Sequence, residues 1–416
     1  MHLRRAVITG IGAVSPLGQN CEALRAGLAE GRSAVVRMGE DWGKYKSLKS
    51  QVGAPAKLLN ERDIPRQMRR SMSRMSIFAV QAAQQALADA FGDSATSLDN
   101  FDEGRLGCVI GSTTGSPIAL NETFEIMIPA YDLSRLPAVK FFQCVSHTAV
   151  LNVAQCLGLT GVVLATSAAC ASGLQAVGAA YDLIRLGTQD AVLCGGAEEL
   201  HASVTGSFDI MFAASAGYND SPTQTPRPFD RKRDGLVCGE GAGILLVEEY
   251  EHARARGAKI HGEIIGYNTC GSGAHVSQSS RSALVSCTRR ALASAGLAPE
   301  SVGYVNAHAA GTTQGDVEEA VAIREVYGGE VPVSSLKGNL GHTLGASGAI
   351  ELIATLMMMR DGILFPTLNL EELDPECEGV HCFTAPLERN IDVFVKNSFA
   401  FGGINSALVC RKLPAL

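Results

Sequence analysis

The chain has 416 residues, 46% hydrophobic and 19% charged, with a formal net charge of −7. That supplies a large buried core, in two or three domains or one long α/β unit, and the interspersed acids and bases leave no basic stripe for nucleic acid. No apolar run reaches membrane-spanning length, and none of the twelve cysteines forms a Cys-x-x-Cys pair; the expectation is a cytosolic protein with reduced thiols, no leader and no membrane contact.

In chain order, Met1 to Arg5 run directly into a strand-like Ala6-Val-Ile-Thr9 closed by Gly10. Ser73 to Phe91 reads as an Ala-rich helix, and a strand at Arg105 to Ile110 ends in the loop Gly111 to Gly115. A strand from Gly161 to Ala165 then leads into Thr166-Ser-Ala-Ala-Cys170. Leu174, Val177, Tyr181 and Ile184 follow at helical spacing, with Gly187 placed to stop the helix. The strand Ala191 to Cys194 ends in Gly195-Gly196. The second half repeats this order: a helix from Ser282 to Ala295, a strand from Val302 to Ala307 ending in His308, a strand from Val331 to Ser334 leading into Lys337 to His342, a helix from about Ala346 to Met359, and a last strand ending in Phe401-Gly-Gly403.

Strands alternating with helices predict covered, mostly parallel sheets. Two such halves, 1–255 and 256–416, predict two sheets with helices between and outside them. The stretches 116–160 and 200–235 break the pattern and are expected to cap or line a site. Ligands in α/β folds bind at the carboxyl ends of strands, and Cys170, His308, the Lys337–His342 segment and Phe401 all fall there.

Cys170 stands between a strand and a helix among Ala168, Ala169, Ala171, Ser172 and Gly173. Small neighbours suit a sharp turn. The helix start is expected to lower the thiol pKa and to offer N–H groups to an oxyanion. On its own, a cysteine in such company also fits a core position. An isolated histidine is usually structural, yet two on separate strand-end loops with a cysteine on a third suit acyl transfer through a thiol nucleophile. Metal binding competes, but further imidazoles or carboxylates at ligand spacing are missing, so no metal is expected.

Val7 to Gly18, Thr166 to Gly173, Arg227 to Gly235 with Gly239 to Gly243, Asn306-Ala-His308, Ser335 to His342 and Asn397 to Asn405 occur in an order that resembles the β-ketoacyl-acyl carrier protein synthases of the elongating, two-histidine type and their type II polyketide relatives. The resemblance spans nearly the whole chain. It implies a thiolase-like fold of two duplicated βαβαβ halves in α-β-α-β-α layers. It also implies a homodimer, or a heterodimer with a related chain-length subunit.

By the same resemblance, Cys170 would take an acyl chain from the phosphopantetheine of an acyl carrier protein, with no cofactor bound to the enzyme. His308 and His342 would hold the malonyl thioester and promote its decarboxylation, and Lys337 would complete the catalytic set, supported by Glu351. The N–H groups of Cys170 and Phe401 would form the oxyanion hole. Thr312 would contact pantetheine, and Phe401 would gate acyl entry. Residues near Phe141 to Leu157, where the family's dimer partner contributes, would set the pocket bottom.

Four positions depart from the family pattern. Ala309-Ala310 replace Gly-Thr after the histidine, Leu236 replaces a Phe, and Ala400 replaces a Gly in the gate loop. They point away from housekeeping fatty-acid elongation and toward a specialised substrate, a polyene or another unsaturated or aromatic polyketide chain. A thiolase would need a second cysteine in Phe399 to Asn405, which has none. An initiating synthase would use a Cys-His-Asn set, and a non-catalytic partner subunit would lack the nucleophile.

Overall fold

The computed structural model describes residues 3–92, 97–273 and 280–414; Met1 and His2, at the start of the expected leaderless terminus, lie outside them. The first half contributes β1 (Ala6–Val14), β2 (Leu106–Gly111), β3 (Val163–Thr166), β4 (Ala191–Glu198) and β5 (Gly241–Glu249). They lie in the order β3-β2-β4-β5-β1, parallel across the first three and antiparallel beyond. The second half contributes β6 (Gly262–Gly271), β7 (Tyr304–Asn306), β8 (Pro332–Ser334), β9 (His381–Cys382), β10 (Val393–Phe399) and β11 (Ile404–Arg411). Their order is β8-β7-β10-β11-β6 with the same pattern of directions, and β9 is added at the β8 edge.

The repeat read from pattern is therefore a repeat of topology. One feature differs from the expectation of two separate sheets. Ala6, Val7 and Ile8 pair antiparallel with Ile264, Glu263 and Gly262, which joins the halves into one eleven-stranded sheet. Only the first three residues of β1 make this seam; the rest of the strand diverges as the sheets twist.

The helices of the first half are α1 (Arg74–Phe91), α2 (Thr148–Leu157) and α3 (Ser172–Arg185). Those of the second are α4 (Arg281–Ala295), α5 (Thr313–Tyr327) and α6 (Ser347–Asp361). α1 and α2 cover one outer face, α4 and α5 the other, and α3 packs on α6 between the two half-sheets. Sequence explains the middle layer. Every residue of α6 from Ser347 to Met359 is buried, because apolar residues lie on every side of this helix and Glu351 is the one charge among them. All eight residues of β4 are buried, as expected for a strand covered on both faces. Among the described residues no helix is long and apolar enough to cross a membrane.

Glycine lets the two halves meet at the site end of α3 and α6. A Cβ on Gly196 would stand 2.1 Å from the Gly345 carbonyl oxygen, and one on Gly173 would stand 2.5 Å from the same atom. Backbone therefore touches backbone where the loops before α3 and α6 converge. Gly196→Ala is expected to cost about 3 kcal/mol of stability, since the clash is with a fixed carbonyl. Gly43→Ala, where a Cβ meets nothing, should stay within about 0.5 kcal/mol. Urea unfolding of both variants checks this; equal midpoints would contradict the close approach.

Candidate active site

The turn after β3 is held by Ser172. Its Oγ accepts the Ala168 N–H at 2.7 Å and donates to the Ala169 carbonyl, while Thr166 Oγ1 donates to the Ser172 carbonyl at 2.8 Å. Ala169 takes a left-handed conformation with φ 47°, a strain of about 1–3 kcal/mol that the surrounding bonds sustain. This turn presents Cys170, 1% exposed, two residues before α3.

After β7, Glu319 on α5 accepts the N–H groups of His308 (2.8 Å) and Ala309 (2.6 Å). Asp316, one turn earlier on α5, accepts those of Ala310, Gly311 and Thr312. The loop carrying His308 is thus pinned along its length by two buried carboxylates. After β8, the His342 N–H donates to Val237 at 2.7 Å. Its Nδ1 accepts the Leu344 N–H at 3.3 Å, which places the proton on Nε2, an atom with no partner among the described residues. The His308 and His342 rings meet edge to face at 5.1 Å between centroids. One ligating atom each from Cys170, His308 and His342 lie within 4.8 Å of one another.

Beneath the histidines, Glu351 on α6 binds two buried lysines. Lys337 Nζ lies 2.8 Å from Oε1, Lys396 Nζ lies 2.7 Å from Oε2, and Ser347 Oγ donates to Oε1 at 2.7 Å. Burial pushes the Glu351 carboxyl up, but the two ammonium charges outweigh it and hold the group at about 2. Burial, followed by the Lys337 charge, pulls His342 down to about 3 and His308 well below its ordinary value. Both imidazoles are therefore neutral.

The Cys170 thiol departs from expectation. Loss of water pushes it up to about 12, against the downward pull of Lys337 and of the N–H groups of Phe401 and Cys170 itself, both hydrogen-bonded to the sulfur. At 1% exposure, removal from water outweighs the helix end. The resting group is a thiol beside two neutral imidazoles.

Two cavities meet here. A polar one of about 130 Å³ is lined by His308, His342, Leu236, Ala310, Thr312 and Ala400. An apolar one of about 540 Å³ is lined by Cys170 with Pro117, Leu120, Phe124, Val204 and Phe208. Phe401 belongs to both walls, and its ring packs on Phe208 at 5.6 Å. The apolar walls come from the stretches expected to line a site. Residues 141–157, expected to set the pocket bottom, do not line this cavity in the single chain, because α2 packs outward against α1.

Three positioning residues went unnoticed in the sequence. Glu319 and Asp316 lie on a helix whose acids look like a solvated face. Lys396 did leave a signal, a lone charge inside the apolar run Val393-Phe-Val-Lys-Asn397.

Fold and site together define a condensing acyltransferase of thiolase-like architecture. More narrowly, the chain belongs to the beta-ketoacyl synthase family: residues 3–253 match the family's N-terminal domain and residues 261–371 its C-terminal domain. It is 39% identical over 420 positions to the 3-oxoacyl-[acyl-carrier-protein] synthase 1 of Escherichia coli K12, covering 99% of this chain and 100% of that protein. A beta-ketoacyl synthase from Burkholderia phymatum superposes with a TM-score of 0.93 at 42% identity, covering 99% of this chain and 100% of that one. A type II polyketide ketosynthase, solved with its acyl carrier protein and bound to a hexaketide, superposes at 0.89 with 30% identity, again covering 99% and 100%.

Titration follows from the depressed imidazoles. A histidine whose folded pKa lies below its unfolded value keeps its share of stability above about pH 6.5 and loses it as the pH falls toward the folded pKa. His342 should stay neutral from pH 8 to below pH 5 in an NMR titration of the ring, and Lys396→Met should move its midpoint upward. A wild-type midpoint near 6.5 would contradict the assigned environment.

Proposed function

We propose that the enzyme elongates an acyl chain of fatty-acid or polyketide type by decarboxylative Claisen condensation, with Cys170 as nucleophile and His308 and His342 as the decarboxylating pair. The observation that carries this reading is the meeting of one thiol and two neutral imidazoles where a polar and an apolar cavity join at Phe401. Substrates arrive on the phosphopantetheine of an acyl carrier protein, the carrier named by the relatives; the enzyme itself needs no cofactor. The site of action is the cytosol.

In the first half-reaction Cys170 attacks the acyl thioester. Its proton passes to the neutral His308 ring and on to the departing pantetheine thiolate. The chain enters the apolar cavity. Phe401 gates that passage, with Ala400 stiffening the turn beside it. The Cys170 and Phe401 N–H groups, already aimed at the sulfur, hold the tetrahedral oxyanion.

In the second half-reaction the malonyl thioester lies in the polar cavity, with Thr312 beside its pantetheine. Loss of carbon dioxide leaves an enolate oxygen that takes hydrogen bonds from the imidazoles, His342 Nε2–H above all. Neutral donors suit this step, since a charge is created rather than neutralised. Each such donor is worth about 3–4 kcal/mol of barrier. Lys337 acts from behind as a positioning charge, fixed by Glu351. The enolate carbon then attacks the acyl-Cys170 carbonyl and expels the Cys170 thiolate, which takes a proton from water to restore the resting thiol.

The chain is read as two working halves, 1–255 bearing the nucleophile and 256–416 bearing both histidines. We further propose that a second chain of the same fold, an identical copy or a chain-length subunit, covers the exposed side chains of Phe124, Tyr131, Phe141, Val163 and Leu164 beside the edge strand β3. An edge strand with exposed apolar residues calls for pairing.

The test is to incubate the protein with acyl-loaded carrier proteins and read intact mass. Wild type should gain acyl groups and Cys170→Ala none; loading that survived the substitution would sink the mechanism. Across the same panel, the departures at Leu236, Ala310 and Ala400 predict faster elongation of unsaturated than of saturated chains. Equal rates would return the enzyme to housekeeping elongation.

A further inference from the structure

Behind the gate turn lies a pair of thiols. Cys270 sits near the end of β6, and Cys287 faces it from α4. Asn268 and Cys270, two residues apart, point to the same face of the strand, and Cys287 Sγ donates to the Asn268 carbonyl at 3.5 Å. Cys270 Sγ donates to the Ala283 carbonyl, one helical turn before Cys287, at 3.8 Å. The sulfurs thus share one strand–helix seam.

The seam also reaches the gate. Cys270 pairs with Asn405 across β6 and β11, and the Asn405 side chain hydrogen-bonds Cys270. Asn405 Nδ2 donates to the Gly403 carbonyl at 3.3 Å, an oxygen that also accepts the Ser272 N–H at 2.8 Å. Gly402 and Gly403, with φ of 89° and 73°, form the turn that carries Phe401.

We propose that Cys270 and Cys287 form a hydroperoxide-reactive dithiol whose closure to an intramolecular disulfide restrains the Phe401 turn. Cys270 reacts first, because it is partly exposed while Cys287 is buried. The neighbouring Cys287 sulfur, and after it the Arg290 charge, draw the Cys270 thiol down, whereas burial pushes the thiols of Cys108, Cys170, Cys238 and Cys410 up. Thiolate character and access are what select the oxidised cysteine.

The Cys270 sulfur attacks one peroxide oxygen. A sulfur–oxygen bond forms, the oxygen–oxygen bond breaks, and an alcohol or water leaves. The Cys287 sulfur then attacks the sulfenic sulfur; the disulfide forms and water departs with the Cys287 proton. The two thiols lose two electrons and the hydroperoxide takes both. The bond draws Cys270 toward α4 and away from Asn405, which alters the support of the Gly403 carbonyl.

The experiment treats full-length Cys170→Ala protein with hydrogen peroxide, alkylates it and maps non-reduced peptides. A peptide linking Cys270 to Cys287 is expected. In parallel, wild type, Cys270→Ser and Cys287→Ser receive the same dose, and acyl loading of Cys170 is timed. Wild type should slow about tenfold and recover with dithiothreitol, while both serine variants keep their rate. Absence of the linked peptide, unchanged loading once it has formed, or equal slowing in the serine variants would overturn the proposal. The loading arm rests on the acyl-enzyme reading and the peptide map does not, so a failure of either is told apart from the other.

Discussion

The site exists because two helix starts can come closer than any side chain allows. Gly173 and Gly196 bring their backbones against the Gly345 carbonyl, and on either side of that contact stand the loops bearing Cys170 and His342. Each half of the chain supplies a strand, a loop and a central helix in the same order. Neither half holds the thiol and the imidazoles together. Duplication gives two equivalent strand-end loops, and the glycine contact turns equivalence into adjacency. Conformational entropy favours neither arrangement, so the packing of α3 on α6 has to hold it.

Around that contact the protein keeps its reacting groups uncharged and its charges fixed behind them. Lys337, Lys396 and Glu351 form a buried cluster in which one carboxylate faces two ammonium groups. Taken alone such a cluster is weak evidence for stability, because desolvation offsets the attraction. Its effect on the neighbours is plainer. Excess positive charge and burial both keep His308 and His342 neutral. A neutral imidazole can donate to a developing enolate or accept a thiol proton; an imidazolium can only donate. The same burial raises the thiol, which leaves deprotonation to the moment of attack.

Much of this was legible in the sequence. The helix α6 shows as a largely apolar run from about Ala346 to Met359 with one charge, Glu351, inside it, and Cys170, His308 and His342 each follow a strand-like run, which is why their convergence could be expected. What stayed hidden has physical causes. Register between distant strands is not written locally, so the three-residue seam between β1 and β6 could not be anticipated. Glu319 and Asp316 face inward from a helix that also carries exposed acids, and only the fold shows which of them cap the His308 loop. The thiol was misjudged because a helix start is visible in sequence whereas the depth of burial is not. Lys396 could have been found from its setting in an apolar strand.

The central claim is a division of labour: the thiol carries the chain and the imidazoles make the carbanion. The most direct measurement follows release of carbon dioxide from malonyl-loaded carrier protein by Cys170→Ala and His342→Ala, alongside acyl loading of each. Cys170→Ala should keep decarboxylation and lose loading, whereas His342→Ala should load normally and lose about a hundredfold in decarboxylation. If the two variants lost both activities together, thiol and imidazoles would not be separable parts, and the account would be wrong.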